Sequence, residues 1–209
     1  MSTWADFEPF VLPDVPGCPD ATIEHHLRQA AIEFCRFTKV WQADLAPIAG
    51  DGAATVFAMP KPDDGEPCKL LSVTVNVTGF APMQPDVLTP EDGAARIRDG
   101  NLRPCAFTGD LSGLVVWPAQ PAGASIVAKV ALMPSQAAAT LPTAVFNQHA
   151  ADIAAGALST LLAQSKKDWT DTATAAIQAA KFSSGKATVA RTVERGSAKS
   201  VRHSTTRWF

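Results

Sequence analysis

The chain has 209 residues, of which 46% are hydrophobic and 18% are charged, and its mean hydropathy is +0.05. This length and composition suit one substantial domain, or a core domain with an insertion. No apolar run reaches the roughly 18 residues that a membrane span needs. The first residues also lack the basic start and apolar block of a signal peptide. We therefore expect a protein that is made and kept in a cytoplasm and has no membrane partner.

The net charge of −2 conceals a strong asymmetry along the chain. Residues 1–180 hold 19 of the 20 acidic residues and 11 of the 18 basic residues, which is a net charge of −8. Residues 181–209 hold seven basic residues against Glu194 alone, which is a net charge of +6. Such an uneven distribution of charge along the chain indicates a binding partner for the basic end.

The first half of the chain predicts one long helix after an irregular start. Four prolines forbid a long helix in residues 1–19, although apolar residues there are expected to pack on the helices. A helix is then predicted over about 20–44, with Asp20 as its cap. Its apolar residues recur at helical spacing: Ile23, Leu27, Ala30, Phe34 and Trp41.

Residues 53–134 change to a strand pattern. Apolar and polar residues alternate over 71–78, which is the period of a strand with one buried face. Two further segments, Cys105–Thr108 and Leu114–Trp117, flank a turn and predict a hairpin, and 124–133 predicts another strand. Thr89-Pro90-Glu91-Asp92 predicts the capped start of a short helix that ends at Gly100.

Helical periodicity returns near Leu141-Pro142 and predicts helices over about 142–165 and 170–183, the second capped by Thr170 or Asp168. Small residues such as Gly156 and Ala157 would let another backbone approach the first of these helices closely. From Ser183 the pattern stops, and little in the remaining residues suits a core, so that segment is expected to be flexible when alone.

The predicted fold class is therefore α+β: a helical bundle with an inserted small antiparallel β-module and an extended C-terminal arm. The corresponding divisions are 1–52 for the N-terminal segment and first helix, 53–134 for the β-rich insertion, 135–182 for two helices packing on the first, and 183–209 for the basic arm.

The sequence contains none of the common catalytic, metal-binding or nucleotide-binding motifs, so neither an enzyme nor a cofactor is predicted. The four cysteines are widely scattered, which predicts reduced, partly buried thiols.

His25 and His26 point about 100° apart on a helix and are predicted as one surface and one half-buried side chain. His149 and Asp152 lie three residues apart and are predicted to form a structural pair. Trp169 is predicted to pin an interhelix turn to the core, with nucleic-acid stacking as the alternative.

The basic end is the candidate binding site. Its residues are Lys186, Arg191, Arg195, Lys199, Arg202, Arg207, Trp208 and Phe209. A solvated tail, contact with DNA phosphates through counterion release, and docking in a groove of a partner protein are three open interpretations. The ending Arg-Trp-Phe favours docking, since arginine and aromatic residues are typical interface anchors.

Several segments, taken in order, resemble a family of head-to-tail adaptor proteins of tailed bacteriophages, which includes the tail tubular A adaptors of short-tailed phages. They are 19–24 with 30–35, Leu141-Pro142, 152–158, Lys167-Asp168-Trp169 and 182–185. The order of these weak motifs covers most of the chain. One departure is Asp168, where many relatives have proline in the turn.

The resemblance implies a structural protein of the virion neck that is assembled in the host cytoplasm. It implies a ring of identical subunits, twelve-fold, beneath the portal protein, with a tail or nozzle protein on the opposite side and genomic DNA passing through without sequence-specific binding. The C-terminal arm would insert along the portal. An acidic ring lumen would repel DNA phosphates and let the duplex slide. The alternative is a DNA-binding protein that uses the basic tail.

Overall fold

A computed structural model describes residues 1–62 and 64–195, and within that part the protein is a mixed α+β fold with antiparallel sheets. Two 3₁₀ turns, Trp4–Phe7 and Leu12–Asp14, flank the first of the five α-helices described. The helices are α1 (Glu8–Val11), α2 (Asp20–Thr38), α3 (Pro90–Arg98), α4 (Thr143–Leu161) and α5 (Thr172–Arg195). None of these helices combines the length and apolarity needed to cross a membrane.

The strands of the same residues are β1 (Ser2–Thr3), β2 (Gln42–Asp44), β3 (Ile48–Ala49), β4 (Val56–Ala58), β5 (Gly65–Asn76), β6 (Asp86–Val87), β7 (Cys105–Thr108), β8 (Gly113–Trp117), β9 (Ser125–Pro134) and β10 (Thr140–Leu141). Strand β9 pairs with β5 along one edge, and with β2 and β3 along the other. A second sheet has the order β4-β8-β7-β6, in which only the β6–β7 pair is parallel. Strands β1 and β10 form a separate antiparallel pair.

The helical core forms between α2, α4, α5 and the N-terminal segment. Its fully buried members include Phe7, Leu27, Phe34, Ile153 and Leu161. The apolar residues 23, 27, 30 and 34 predicted for the first helix all lie in this core. Trp4 and Phe7 are also buried there, so the N-terminal segment packs on the helices as predicted.

The two larger sheets share a second core. Val73, Val75, Ile126 and Val130 contribute from the β5–β9 sheet, and Leu114 is one of the contributors from the other sheet. The alternation in 71–78 is thereby explained, because Val73 and Val75 are buried while the neighbouring Ser72 and Thr74 are half-exposed.

Local signals predicted the short helix and the hairpin correctly. Helix α3 begins at Pro90, and the Thr89 hydroxyl accepts a hydrogen bond of 3.2 Å from the Asp92 amide. The predicted hairpin is β7 and β8 in antiparallel register. In both cases the residues that determine the structure are neighbours in sequence, so no distant contact is needed to predict it.

The predicted end of the first helix near residue 44 is wrong. Helix α2 ends at Thr38, and Lys39 adopts a left-handed conformation with φ of 55°. The chain then enters β2, which pairs with β9, and the Leu132 amide donates to the Trp41 carbonyl at 2.7 Å. The β-rich region therefore begins at Gln42, inside the predicted segment 1–52. Trp41 lies seven residues after Phe34, a helical spacing, but it packs between the two cores.

The predicted end of the last helix near residue 183 is also wrong, because α5 continues to Arg195. Its cap is Asp171, whose carboxylate accepts hydrogen bonds from the Ala173 and Thr174 amides, rather than Asp168 or Thr170. The boundary placed between 182 and 183 therefore falls inside one continuous helix. Any extended arm can begin only after Arg195.

Candidate interaction surface

Helix α5 is held on the body by close contact with α4. Phe182 is 6% exposed, and its ring stacks on Phe34 of α2 with centroids 6.3 Å apart. Opposite this ring lies Gly156, where an added Cβ would stand 2.8 Å from the Phe182 ring. The absence of a side chain at Gly156 therefore lets the two helices meet, as the small residues there predicted.

A second close approach lies one turn further along the same crossing. A Cβ added at Gly185 would stand 2.5 Å from an oxygen of the Asp152 carboxylate. The same carboxylate lies 3.9 Å from Nδ1 of His149, so the predicted His149–Asp152 pair exists. Burial lowers the pKa of His149, and Asp152 opposes that shift. The pair lies at the contact between α4 and α5.

Lys186 is the first of the predicted arm residues, and it is committed to a contact within the subunit. Its ammonium pairs with Glu33 of α2 and lies 4.2 Å from the centroid of the Phe182 ring and 5.5 Å from that of Phe37. Only 14% of its side chain is exposed. Lys186 therefore fastens α5 to α2, a role that its place in a basic sequence did not reveal.

The outer side of α5 is different. The exposed residues Ile177, Lys181, Ser184, Thr188, Arg191 and Arg195 recur at intervals of four and three along the helix, and we call this set the α5 stripe. Arg191 and Arg195 are thus presented together on a regular surface rather than on an extended arm. The other predicted arm residues, Lys199, Arg202, Arg207, Trp208 and Phe209, lie outside the described residues.

A cleft of about 630 Å³ opens beside the stripe, between α2 and α5 and above α4. Its walls carry polar residues from all three helices: His25, His26, Gln29, Ser159, Thr160 and Ser183. Sequence reasoning missed this cleft. The only sequence signal was a pair of adjacent histidines, and nothing local indicates that α4 and α5 come to face them.

His26 connects α2 to the end of α4 at this cleft. Gln164 Nε2 donates to His26 Nε2 at 2.8 Å, so the neutral ring carries its proton on Nδ1 and donates it to Thr160 Oγ1 at 2.8 Å. Thr160 in turn donates to the Ala157 carbonyl at 2.9 Å. His25 is exposed and His26 is half-buried, as predicted.

We expect this connection to weaken in mild acid. Burial, with a contribution from His25, lowers the pKa of His26 below its ordinary value of 6.5. The unfolded chain therefore binds a proton first as the pH falls through about 6.5, and stability that is present above this pH is lost below it. Thermal unfolding of the wild-type chain between pH 7.5 and 5.5 should reveal the loss, and His26→Gln should reduce its size. His25→Gln is the control and should retain most of the wild-type dependence. An unchanged dependence in His26→Gln would assign it to another group.

The remaining candidates are Trp169, the cysteines and possible metal ligands. Trp169 packs partly buried against the helical core, as predicted, and its buried indole nitrogen has no hydrogen-bond partner among the described residues. All four cysteines are free, and burial raises the pKa of the Cys35 thiol to about 12. Within residues 1–62 and 64–195, no three His, Cys, Asp or Glu side chains cluster closely enough to hold a metal ion.

No protein-family model matches this sequence, and no curated protein matches it either.

Proposed function

We propose that this protein is a structural head-to-tail adaptor of a tailed bacteriophage. In this proposal identical subunits form a ring of twelve under the portal protein, and a tail or nozzle protein binds the opposite side. The ring belongs to the neck of the virion and is assembled in the host cytoplasm. Genomic DNA passes through it without sequence-specific binding, and the subunit needs no enzyme activity.

The observation that carries this proposal is the crossing of α4 and α5. Four residues from the segments that resemble the adaptors meet there, since Gly156 faces Phe182 and Gly185 faces Asp152. The resemblance rests on the order of weak motifs along the chain. The segments 152–158 and 182–185 contact each other directly. This contact explains why both segments occur in the chain, whereas motifs that matched by chance would have no reason to meet.

The finer architecture proposed is a helical bundle of α2, α4 and α5 with the β-rich region inserted between α2 and α4. The C-terminal arm that docks on the portal consists of 196–209, and its anchors are Arg207, Trp208 and Phe209. Charge supports this division, because residues 1–195 hold 20 acidic and 15 basic residues, a net charge of −5, whereas 196–209 hold three basic residues and no acidic one. An acidic body facing a channel repels phosphates, and this keeps DNA mobile during passage.

A second candidate function is duplex binding through the basic end. It is favoured by the α5 stripe, where Lys181, Arg191 and Arg195 are exposed along about 21 Å of one helix. Phosphate contacts need only such a line of cations. The acidic body opposes this function, because it repels the same duplex.

The two candidates give different results in one binding experiment. We expect the full chain to cosediment with purified phage portal at about 150 mM salt, and to leave duplex DNA unshifted in the same buffer. Deletion of 196–209 is the matched variant, because it retains every described contact of α5, and it should lose portal binding. DNA binding that falls steeply with salt, together with no portal binding, would support the second candidate instead.

A further inference from the structure

The α5 stripe carries three cations, Lys181, Arg191 and Arg195, on one exposed face of the helix. In the described part of the chain, no carboxylate forms an ion pair with Lys181, Arg191 or Arg195. Ile177 begins the stripe and is 64% exposed. Arginine is enriched at protein interfaces, and an acidic surface on another copy would complement the charges of this stripe.

The N-terminal flank, residues 1–24, has the opposite charge. It contains five acids, which are Asp6, Glu8, Asp14, Asp20 and Glu24, and no lysine or arginine. Within residues 1–62 and 64–195, no ion pair involves any of these acids. Phe10 and Leu12 on this flank are 43% and 37% exposed, so it too combines charge with apolar surface.

The two surfaces lie on opposite sides of α2. Phe37 of α2 faces α5, since the Lys186 ammonium lies 5.5 Å from its ring centroid. Arg28 of α2 faces the N-terminal flank, since its guanidinium lies 5.7 Å from the centroid of the Trp4 ring. Nine residues separate Phe37 from Arg28, which places them about 180° apart around the helix. The stripe and the flank therefore point away from each other.

We propose that the α5 stripe of one copy binds the N-terminal flank of the next copy. Complementary charges on opposite sides of one subunit make a head-to-tail contact that repeats from copy to copy, and a ring results where the rotation closes. Ile177 meets the apolar residues Phe10 and Leu12 within this contact. The inference deepens the proposed ring and rests on it, and it assigns Arg191 and Arg195 to contact between subunits rather than to the portal.

A charge swap in the full chain tests this contact. One variant is Arg191→Glu with Arg195→Glu, and the other is Asp14→Lys with Asp20→Lys; all four side chains are exposed. We expect the wild-type chain to self-associate in sedimentation velocity at about 50 mM salt, where charge attraction is weakly screened. Each variant alone should weaken self-association at least about tenfold, because like charges then face each other.

An equimolar mixture of the two variants keeps the proposal testable if either variant is perturbed. In the mixture each contact joins opposite charges again, so we expect association to return to within about threefold of the wild-type value. Unfolded variants would not restore it. Association of both variants at the wild-type level, or a mixture that stays dissociated although circular dichroism shows both variants folded, overturns the proposed contact.

The proposed function fails separately from this contact. If both charge-reversed variants still form rings on the portal, the proposed contact is contradicted and the proposed adaptor function is not. If the wild-type chain stays monomeric at low salt and does not bind the portal, both the proposed contact and the proposed function are contradicted. Duplex DNA bound on the stripe, with no self-association, would overturn the contact and favour the DNA-binding alternative.

Discussion

Phe34→Ala should cost about 3–5 kcal/mol of unfolding free energy, the usual result of deleting a large buried ring. Phe34 is fully buried, stacks on Phe182 of α5, and its ring centroid lies 5.2 Å from that of His149 on α4. Its removal therefore leaves a cavity where α2, α4 and α5 meet. Urea unfolding of the full chain, followed by circular dichroism, measures the change.

Phe37→Ala is the matched control on the same helix. The Phe37 side chain is 53% exposed, so we expect a cost below about 1 kcal/mol. Equal costs for the two substitutions would mean that α5 does not pack on α2 through Phe34. Because Phe182 holds α5 at this point, Phe34→Ala should also loosen the helix that leads into the proposed arm.

Replacement of both Trp208 and Phe209 by alanine should weaken portal binding by at least about 30-fold. Aromatic anchors at the centre of an interface commonly contribute 2 kcal/mol or more, and 1.4 kcal/mol is a tenfold change in affinity. Twelve arms acting together would multiply the loss, since each weak contact adds to the avidity of the ring. Binding of the full chain to immobilised portal measures the effect.

Thr205→Ala with Thr206→Ala is the control for these anchors, since it changes neighbouring residues without removing an aromatic ring. We expect a change of less than about threefold, as for most contacts around a hot spot. Equal losses from the two double substitutions would indicate a contact made along the backbone rather than through the anchors. No loss from either would contradict docking of this segment.

The sequence predicted those elements whose signals are local. The Thr89 cap with Pro90 specified the start of α3, and the alternation in 71–78 identified the buried face of β5. Each signal depends on residues within a few positions of each other. The start of α3 and the buried face of β5 could therefore be predicted without knowledge of any distant contact.

The two misplaced helix ends depended on distant contacts. Trp41 follows α2 at a helical spacing, but pairing of the adjacent strand with β9 draws it into the sheet. The apolar pattern stops at Ser183, whereas α5 continues to Arg195 and contains Gly185, where the Asp152 carboxylate occupies the space of a side chain. Glycine there reflects a close approach rather than a break.

The candidate interaction surface could be predicted only in part, because it too depends on contacts between residues that are distant in sequence. The basic composition after residue 180 was evident, yet it could not separate Lys186, which pairs with Glu33, from Arg191 and Arg195 on the outside. The cleft beside α5 depends on three helices that are far apart in sequence. Charge counts identify a basic segment, whereas only packing decides which of its described side chains are exposed.

Electron cryomicroscopy of purified portal mixed with the full chain tests the adaptor function most directly. We expect a twelve-fold ring of this protein on the portal, with each C-terminal segment following the portal surface. A portal that remains bare at concentrations where the chain is in excess would contradict it.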